Sequence, residues 1–198
     1  MKYWVRFFLI LFLFLLAGCG GKAVPIIQKL APLPAQGSCK IAVLPFLNKI
    51  SYPQGGPIVN KIFLSELVAT GRFQVFPEGD IDSIYQQLLI YPLEQPTREQ
   101  LAMIGGRINP DLFIGGTILK MDERRQGDYV HTEMTLILHL YDGKSGKLLW
   151  STYHHRLGSE YQQVMHLGRI NSISGLARRM SQEIIADWLE QGMIPCTE

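Results

Sequence analysis

The chain has 198 residues, of which 47% are hydrophobic and 18% are charged, a composition typical of a globular protein with one ordinary domain. The 19 basic and 17 acidic residues give a formal net charge of +2, but Lys2 and Arg6 lie in an N-terminal apolar segment without an acid, so residues 19–198 carry no net charge. This balance does not indicate a nucleic-acid partner, which would need a basic stripe.

The N-terminal segment begins with Lys2 and Arg6, continues with ten apolar residues, Phe7–Leu16, and ends in Leu-Ala-Gly-Cys. Ten residues are too few to span a bilayer core, which needs about 20. A basic start, a short apolar centre and small residues are typical of a secretory signal peptide. The last four residues are similar to the lipobox of bacterial lipoproteins. This resemblance implies cleavage before Cys19 and a lipid on its thiol; a plain secretory signal or an N-terminal anchor helix are the alternatives.

The lipobox resemblance also implies a location. An Asp after the cysteine is the usual signal for retention in the inner membrane of enteric bacteria, and Gly20 stands there instead, which implies the periplasmic face of the outer membrane. Residues 20–37 are rich in Gly, Ala and Pro, and proline interrupts both helices and strands. We therefore predict a signal peptide over residues 1–18, a lipidated Cys19 with a flexible tether over residues 19–37, and a single periplasmic domain over residues 38–198.

The first elements of this domain predict a βαβ unit. Residues 40–48 are an apolar run without alternation, which is typical of a buried parallel strand. Apolar residues then recur at helical spacing from Pro57, which suits a first turn, to Gly71, which suits a left-handed helix end. Residues 72–77 predict the second strand.

Two further helices are predicted after this unit. Residues 79–89 form the first, with Asp80 or Asp82 as its N-cap. Residues 96–106 form the second, in which Thr97–Gln100 has the spacing of a capping box.

The second half of the chain predicts three strands and a helix. Gly115 and Gly116 lie inside the first of these strands, where glycines mark a bulge or a close backbone approach. Residues 121–130 predict a short polar link, and residues 142–146 a hairpin turn. The predicted elements are strands over 110–121, 130–142 and 147–157 and an amphipathic helix over 171–192 that Gly192 ends. The order β-α-β-α-α-β-β-β-α predicts an α/β (α+β) sandwich, with a mixed sheet of about five strands and helices packed on it.

Two cysteines remain besides Cys19. Cys39 and Cys196 lie at opposite ends of the predicted domain, and the periplasm is an oxidising compartment. A disulfide between them is one possibility and two free buried thiols are the other. A bond would close a loop of roughly 158 residues, which the chain-entropy model values at about 4–5 kcal/mol.

The sequence predicts no metal site, no cofactor and no catalytic set. His131 and His139 are too far apart along one strand for one ion, and the adjacent His154 and His155 point to opposite faces. Phosphate-loop, dinucleotide-loop and nucleophile-elbow patterns are absent. The protein is therefore predicted not to be an enzyme.

Two aromatic residues on the last strand are candidate interface residues. Trp150 and Tyr153 fit a core first, but tryptophan and tyrosine are also enriched at subunit contacts, and alternate strand positions face outward.

Four stretches together resemble a superfamily of bacterial outer-membrane lipoproteins: IAVLPFLN, LVATGRFQVF, PDLFIGGTIL and LHLYDGKSGKLLW. The superfamily includes the curli secretion lipoprotein CsgG, the Pel polysaccharide lipoprotein PelC and the penicillin-binding-protein activator LpoB, and its fold is also that of the N-terminal domain of TolB. The resemblance implies a non-enzymatic role at the inner face of the outer membrane.

The resemblance leaves two functions open. The first is an assembly or export accessory that forms a homo-oligomeric ring and works with other envelope components, as in PelC. The alternative is a regulator that binds and activates a periplasmic cell-wall synthase, as LpoB does. Such a regulator needs reach, and the predicted tether of about 20 residues extends at most roughly 70 Å.

Overall fold

The computed structural model describes residues 24–35, 37–91, 94–127, 129–163 and 167–196, and of Gln126 only the backbone. The predicted signal peptide and Cys19 lie outside the described residues.

The described residues form seven strands, four helices and one short 3-10 turn. The strands are β1 (Ile26–Lys29), β2 (Lys40–Val43), β3 (Leu47–Asn48), β4 (Gln74–Val75), β5 (Leu112–Gln126), β6 (Tyr129–Asp142) and β7 (Leu148–Leu157). The helices are α1 (Gly55–Ala69), α2 (Glu78–Gln87), α3 (Arg98–Ile108) and α4 (Ile173–Glu190), and the 3-10 turn is Gly158–Tyr161.

All seven strands belong to one mixed sheet. The order is β1-β7-β6-β5-β2-β4, and β3 pairs with β5 beside β2. Strand β2 runs parallel to both β4 and β5, whereas β5, β6, β7 and β1 are successively antiparallel. The predicted α/β sandwich with a mixed sheet is confirmed. The sheet has two more strands than expected, β1 and β3, and both are too short to produce a periodic pattern in the sequence.

Helices cover both faces of the sheet. Helices α1 and α4 pack together on one face, where the core contains Phe63, Trp188 and the inward side chains of β2, β5 and β6. Helices α2 and α3 cover part of the other face, where Phe113 and Tyr141 lie under Leu101. Strand β2 is buried on both faces, as its continuous apolar run predicts.

The cap or stop residue predicted from the sequence is found at the end of three of the four helices. Gly71 and Gly192 have φ of 65° and 109° after α1 and α4, the left-handed conformation that glycine tolerates. Thr97 caps α3, because its side chain accepts from the Gln100 backbone N–H at 3.2 Å and Gln100 Oε1 accepts in return at 2.8 Å. Helix α2 differs: it begins after Pro77, so Asp80 lies in its first turn and caps nothing.

Gly116 marks a close approach between strand β5 and its neighbours. A Cβ built on this glycine would lie 2.8 Å from ring carbons of Phe46 and 2.8 Å from Leu138 Cδ2. The bulge of β5 lies elsewhere, between Ile118 and Lys120, where Leu119 is the extra residue.

Two segments predicted as irregular are strands. Within the expected tether, Ile26–Lys29 forms β1, which pairs with β7, so the folded part begins before residue 38. Within the expected link, residues 121–126 and 129–130 extend β5 and β6 into one long hairpin that turns at Gly127. The alternation is hidden there because the residues on both faces are polar or partly exposed.

Cys39 and Cys196 form a disulfide, with Cα atoms 4.5 Å apart. This bond ties the start of β2 to the segment after α4, and the Cys196 N–H also donates to the Arg72 carbonyl. Among the described residues, none of the helices combines the length and the apolar character needed to cross a membrane.

Candidate interaction surface

The two predicted interface residues lie in different environments. Trp150 is 4% exposed and belongs to the core, with Lys29 Nζ 4.9 Å from the centre of its ring. Strand β1 pairs with this part of β7, and the sequence did not predict this pairing. Tyr153 is 42% exposed, so only Tyr153 is available to a partner.

Tyr153 lies in an uncovered part of the sheet, which we call the open face. The open face consists of Ile26, Ile137, His139, Tyr153 and His155, and it is on the same side of the sheet as α2 and α3. Ile26, Tyr153 and Ile137 are register partners on three adjacent strands and form an apolar row. Ile26 is 61% exposed, and Ile137 is half-buried.

The open face begins where the α2–α3 layer ends. Helices α2 and α3 pack over Phe113 and Tyr141, and Gln95 closes the layer by accepting from the Tyr141 hydroxyl at 2.9 Å and contacting Thr117 Oγ1 at 3.3 Å. Beyond Thr117, none of the described helices lies above strands β6, β7 and β1 on this side. An aromatic and aliphatic row without a covering layer is typical of the centre of a protein–protein contact.

A charged cluster borders the open face toward the end of the hairpin. Glu133 Oε2 is 2.8 Å from Lys120 Nζ, and Glu133 Oε1 is 3.0 Å from His155 Nε2. The hydrogen bonds from Lys120 and then His155 lower the pKa of Glu133 to about 2. The carboxylate is therefore charged at neutral pH, and the border is polar, as the rim of an interface usually is.

His139 lies at the other border of the open face, 5.9 Å from the ring of Tyr141. Burial lowers the pKa of this imidazole, which favours its neutral form. Its Nδ1 atom is buried and has no hydrogen-bond partner among the described residues. The side chain as a whole is half-buried and lies beside the apolar row.

A second polar cluster lies between β7 and α4, on the opposite face of the sheet. Glu183 Oε2 is 3.0 Å from His154 Nε2, 2.9 Å from Arg156 Nε and 3.0 Å from the Tyr161 hydroxyl. Burial alone would raise the pKa of Glu183, but the hydrogen bonds from these three side chains outweigh it and lower the pKa to about 2. Its donors occupy the carboxylate, which suits a structural link rather than acid–base chemistry.

Sequence reasoning missed most of these residues. The sequence indicates Tyr153 by its type and position. It predicts Ile26 to be part of the tether, and Ile137 and His155 to be ordinary strand residues. Only the strand register places these residues, which are far apart in the sequence, in one row. Among the described residues, no three His, Cys, Asp or Glu side chains are grouped as a metal site would require.

No protein-family profile matches the sequence, and no curated protein matches it significantly. Solved structures do match. Two structures of the PelC dodecamer from Paraburkholderia phytofirmans have TM-scores of 0.55 and 0.53 at 16% identity, and cover 83% and 82% of this chain and 97% and 96% of their own. Lipoprotein GNA1162 from Neisseria meningitidis has a TM-score of 0.54 at 18% identity, covering 77% of this chain and 99% of its own.

A third neighbour is the C-terminal domain of LpoB from Escherichia coli, with a TM-score of 0.47 at 14% identity, covering 65% of this chain and 89% of its own. At these identities the comparisons with PelC and GNA1162 show a common fold, and this chain has that fold over most of its length.

Proposed function

We propose that this protein is a non-enzymatic lipoprotein, anchored through Cys19 to the periplasmic face of the outer membrane, and that it acts as an oligomeric accessory for assembly or export, of the secretion or exopolysaccharide type. The observation that carries the proposal is the open face, an uncovered apolar row with a polar border on a fold shared with the PelC dodecamers. The lipobox resemblance supports the anchor.

The open face suits a contact between copies of the chain. Tyr153 and Ile26 are exposed, and each supplies apolar area to the row, with Tyr153 at its centre. If this face meets a different surface of the next copy, the contact is heterologous, and repetition of one rotation closes a ring. The Glu133 cluster, whose charges are already paired, would then lie at the rim, where charges cost least.

The structure gives less support to a regulator that reaches a distant synthase. Strand β1 fixes the chain to the sheet from Ile26, and the Leu30 N–H donates to the Leu149 carbonyl after it. Ile26 lies seven positions after Cys19, so the chain between them spans at most about 25 Å. This reach is about a third of the length that the sequence alone allowed.

The test is the mass of the full-length, acylated protein extracted in detergent. We expect an oligomer for the unchanged protein and a monomer for Tyr153→Asp, because the new charge lies at the centre of the contact. Tyr52→Asp is the matched control: Tyr52 is 50% exposed and lies in the turn before α1, outside the open face. The proposal is wrong if the unchanged protein is monomeric at high concentration, or if Tyr153→Asp assembles as the unchanged protein does.

A further inference from the structure

We propose that the tip of the β5–β6 hairpin rests on the phospholipid headgroups of the membrane that holds the lipid anchor. The tip is defined by Arg124, Arg125, Gly127 and Tyr129. The inference rests on the proposed function, because it requires the lipid at Cys19.

The first argument is the direction in which the chain leaves the domain. Strand β1 is antiparallel to β7, and Ile26 pairs with Tyr153 whereas Lys29 pairs with Trp150. The chain before Ile26 therefore points along β7 toward Leu157. The tip of the hairpin lies at this same end of the sheet, since Leu157 pairs with Glu133 and β6 continues for four residues beyond that pair.

The second argument compares two lengths along this direction. Ile26 lies in the row of Tyr153 and Ile137, and Ile137 lies eight positions along β6 from Tyr129. At about 3.4 Å per residue in an antiparallel strand, the tip projects about 27 Å beyond that row. The link from Ile26 to Cys19 reaches at most about 25 Å. When the link is extended, the lipid and the tip therefore lie at about the same height.

The third argument is the chemistry of the tip and of the loop beside it. Tyr129 is 43% exposed, and the guanidinium of Arg169 lies 5.2 Å from the centre of its ring. Arg169 also donates to the Val130 carbonyl at 3.3 Å, which holds the loop against the hairpin. Leu167 in that loop is 70% exposed. An amphipathic ring, arginines and an exposed aliphatic residue are the groups that settle at headgroup level.

The contact does not depend on a positive charge. Two arginines and three acids, Asp122, Glu123 and Asp128, fall within residues 121–130, and Asp122 is paired with Arg124. The short tether, rather than attraction to anionic lipid, holds the tip at the surface. We therefore expect the contact to persist at a salt concentration that shortens the Debye screening length to about 3 Å.

The experiment places a fluorescent residue at the tip of the acylated, full-length protein. The Tyr129→Trp variant is bound to vesicles of phosphatidylethanolamine with a minor fraction of phosphatidylglycerol, with and without a lipid that carries a nitroxide on its headgroup. The matched control is Lys144→Trp, in the exposed β6–β7 turn at the opposite end of the sheet. The parent protein already emits from Trp150 and Trp188, which are both buried. Its emission is therefore subtracted, and the emission that each new tryptophan adds is compared.

We expect the nitroxide to quench most of the emission added by Tyr129→Trp and none of that added by Lys144→Trp. Equal quenching at both positions, or an unquenched Tyr129→Trp on protein that floats with the vesicles, overturns the inference and leaves the proposed anchor intact. If acylated protein does not float, or Cys19→Ser floats equally well, the proposed function fails and the inference fails with it. Should Tyr129→Trp not fold, Arg125→Trp at the adjacent exposed position reports the same contact.

Discussion

One carboxylate, that of Glu183, joins three parts of the chain: β7 through His154 and Arg156, the 3-10 turn through Tyr161, and α4, on which it lies. Arg156 is 3% exposed and also contacts Glu160 at 3.2 Å. A charge buried to this degree is tolerated because its partner is charged and correctly placed. The stability of this edge of the fold therefore depends strongly on a single residue.

We expect Glu183→Gln to destabilise the protein, because it leaves the buried Arg156 without its main counter-charge. Removal of one member of a buried pair costs about 3–5 kcal/mol, and partial solvent contact of Glu183 reduces this to about 2–3 kcal/mol. Urea unfolding measures the change in the free energy of unfolding. Glu66→Gln is the control: its partner Arg178 has a side chain 67% exposed, so a loss below about 1 kcal/mol is expected. Equal losses in the two variants would contradict the structural role.

The same carboxylate predicts an acid limit to stability. The pKa of Glu183 is about 2 in the folded protein and has the ordinary value of 4.5 when unfolded, so the unfolded state binds more protons between these values. Its contribution is fully present above pH 4.5 and is lost as the pH falls toward 2. Unfolding measured across this range should have a shallower slope in Glu183→Gln. Glu133, whose pKa is also about 2, keeps some slope in the variant; an unchanged slope would refute the assignment to Glu183.

At the scale of the elements, strand β5 has a strict packing requirement at Gly116. Its neighbours are the ring of Phe46 and Leu138, both buried in the core between the sheet and α1. Neither can move without displacing other core side chains. The strand therefore needs a residue without a side chain at this point, although glycine weakens an isolated strand.

We expect Gly116→Ala to lower the free energy of unfolding by about 1–3 kcal/mol through overpacking. Gly106→Ala in α3 is the matched control, because a Cβ there meets nothing within 4 Å and alanine favours a helix. Denaturant midpoints of the two variants should move in opposite directions, or the control should not move. A tolerated alanine at position 116 would show that β5 and Phe46 are less closely packed than described.

The sequence predicts the elements that have one apolar and one polar face, or two apolar faces. Apart from the two-residue β3, the predicted order from β2 to α4 is correct, and so is the capping box at Thr97. It missed β1 and the outer half of the hairpin, since these strands lie where both faces contact solvent and no apolar period exists. It also missed the open face, because Ile26 and Tyr153 become neighbours only through strand pairing.

At the scale of the whole molecule, the disulfide joins the start of β2 to the segment after α4. Cys39 precedes β2 and Cys196 follows α4, 157 residues apart in the sequence. Cross-linking so long a loop restricts the unfolded chain much more than the folded one. The bond therefore stabilises the fold as a unit rather than any single element.

Replacement of both cysteines by serine should lower the free energy of unfolding by about 4–5 kcal/mol on the chain-entropy model. The measurement is urea unfolding with and without dithiothreitol. The reductant should bring the unchanged protein to the level of Cys39→Ser/Cys196→Ser and should not affect the double variant. A reductant effect of the same size in both proteins would show that the loss has another origin.

The position of β2 between β4 and β5 also sets the order in which the strands can pair during folding. Strands β5, β6 and β7 are consecutive and can pair as soon as they have been made. Strand β2 pairs with β4 over only two residues, and its pairing is complete only with β5, whose first residues lie about seventy positions later in the chain. Parallel pairings over such separations are intrinsically slow. If the chain is exported N-terminus first, as the proposed function requires, the apolar residues 40–48 emerge before β5 can cover them, and they are then the expected target of a holding chaperone.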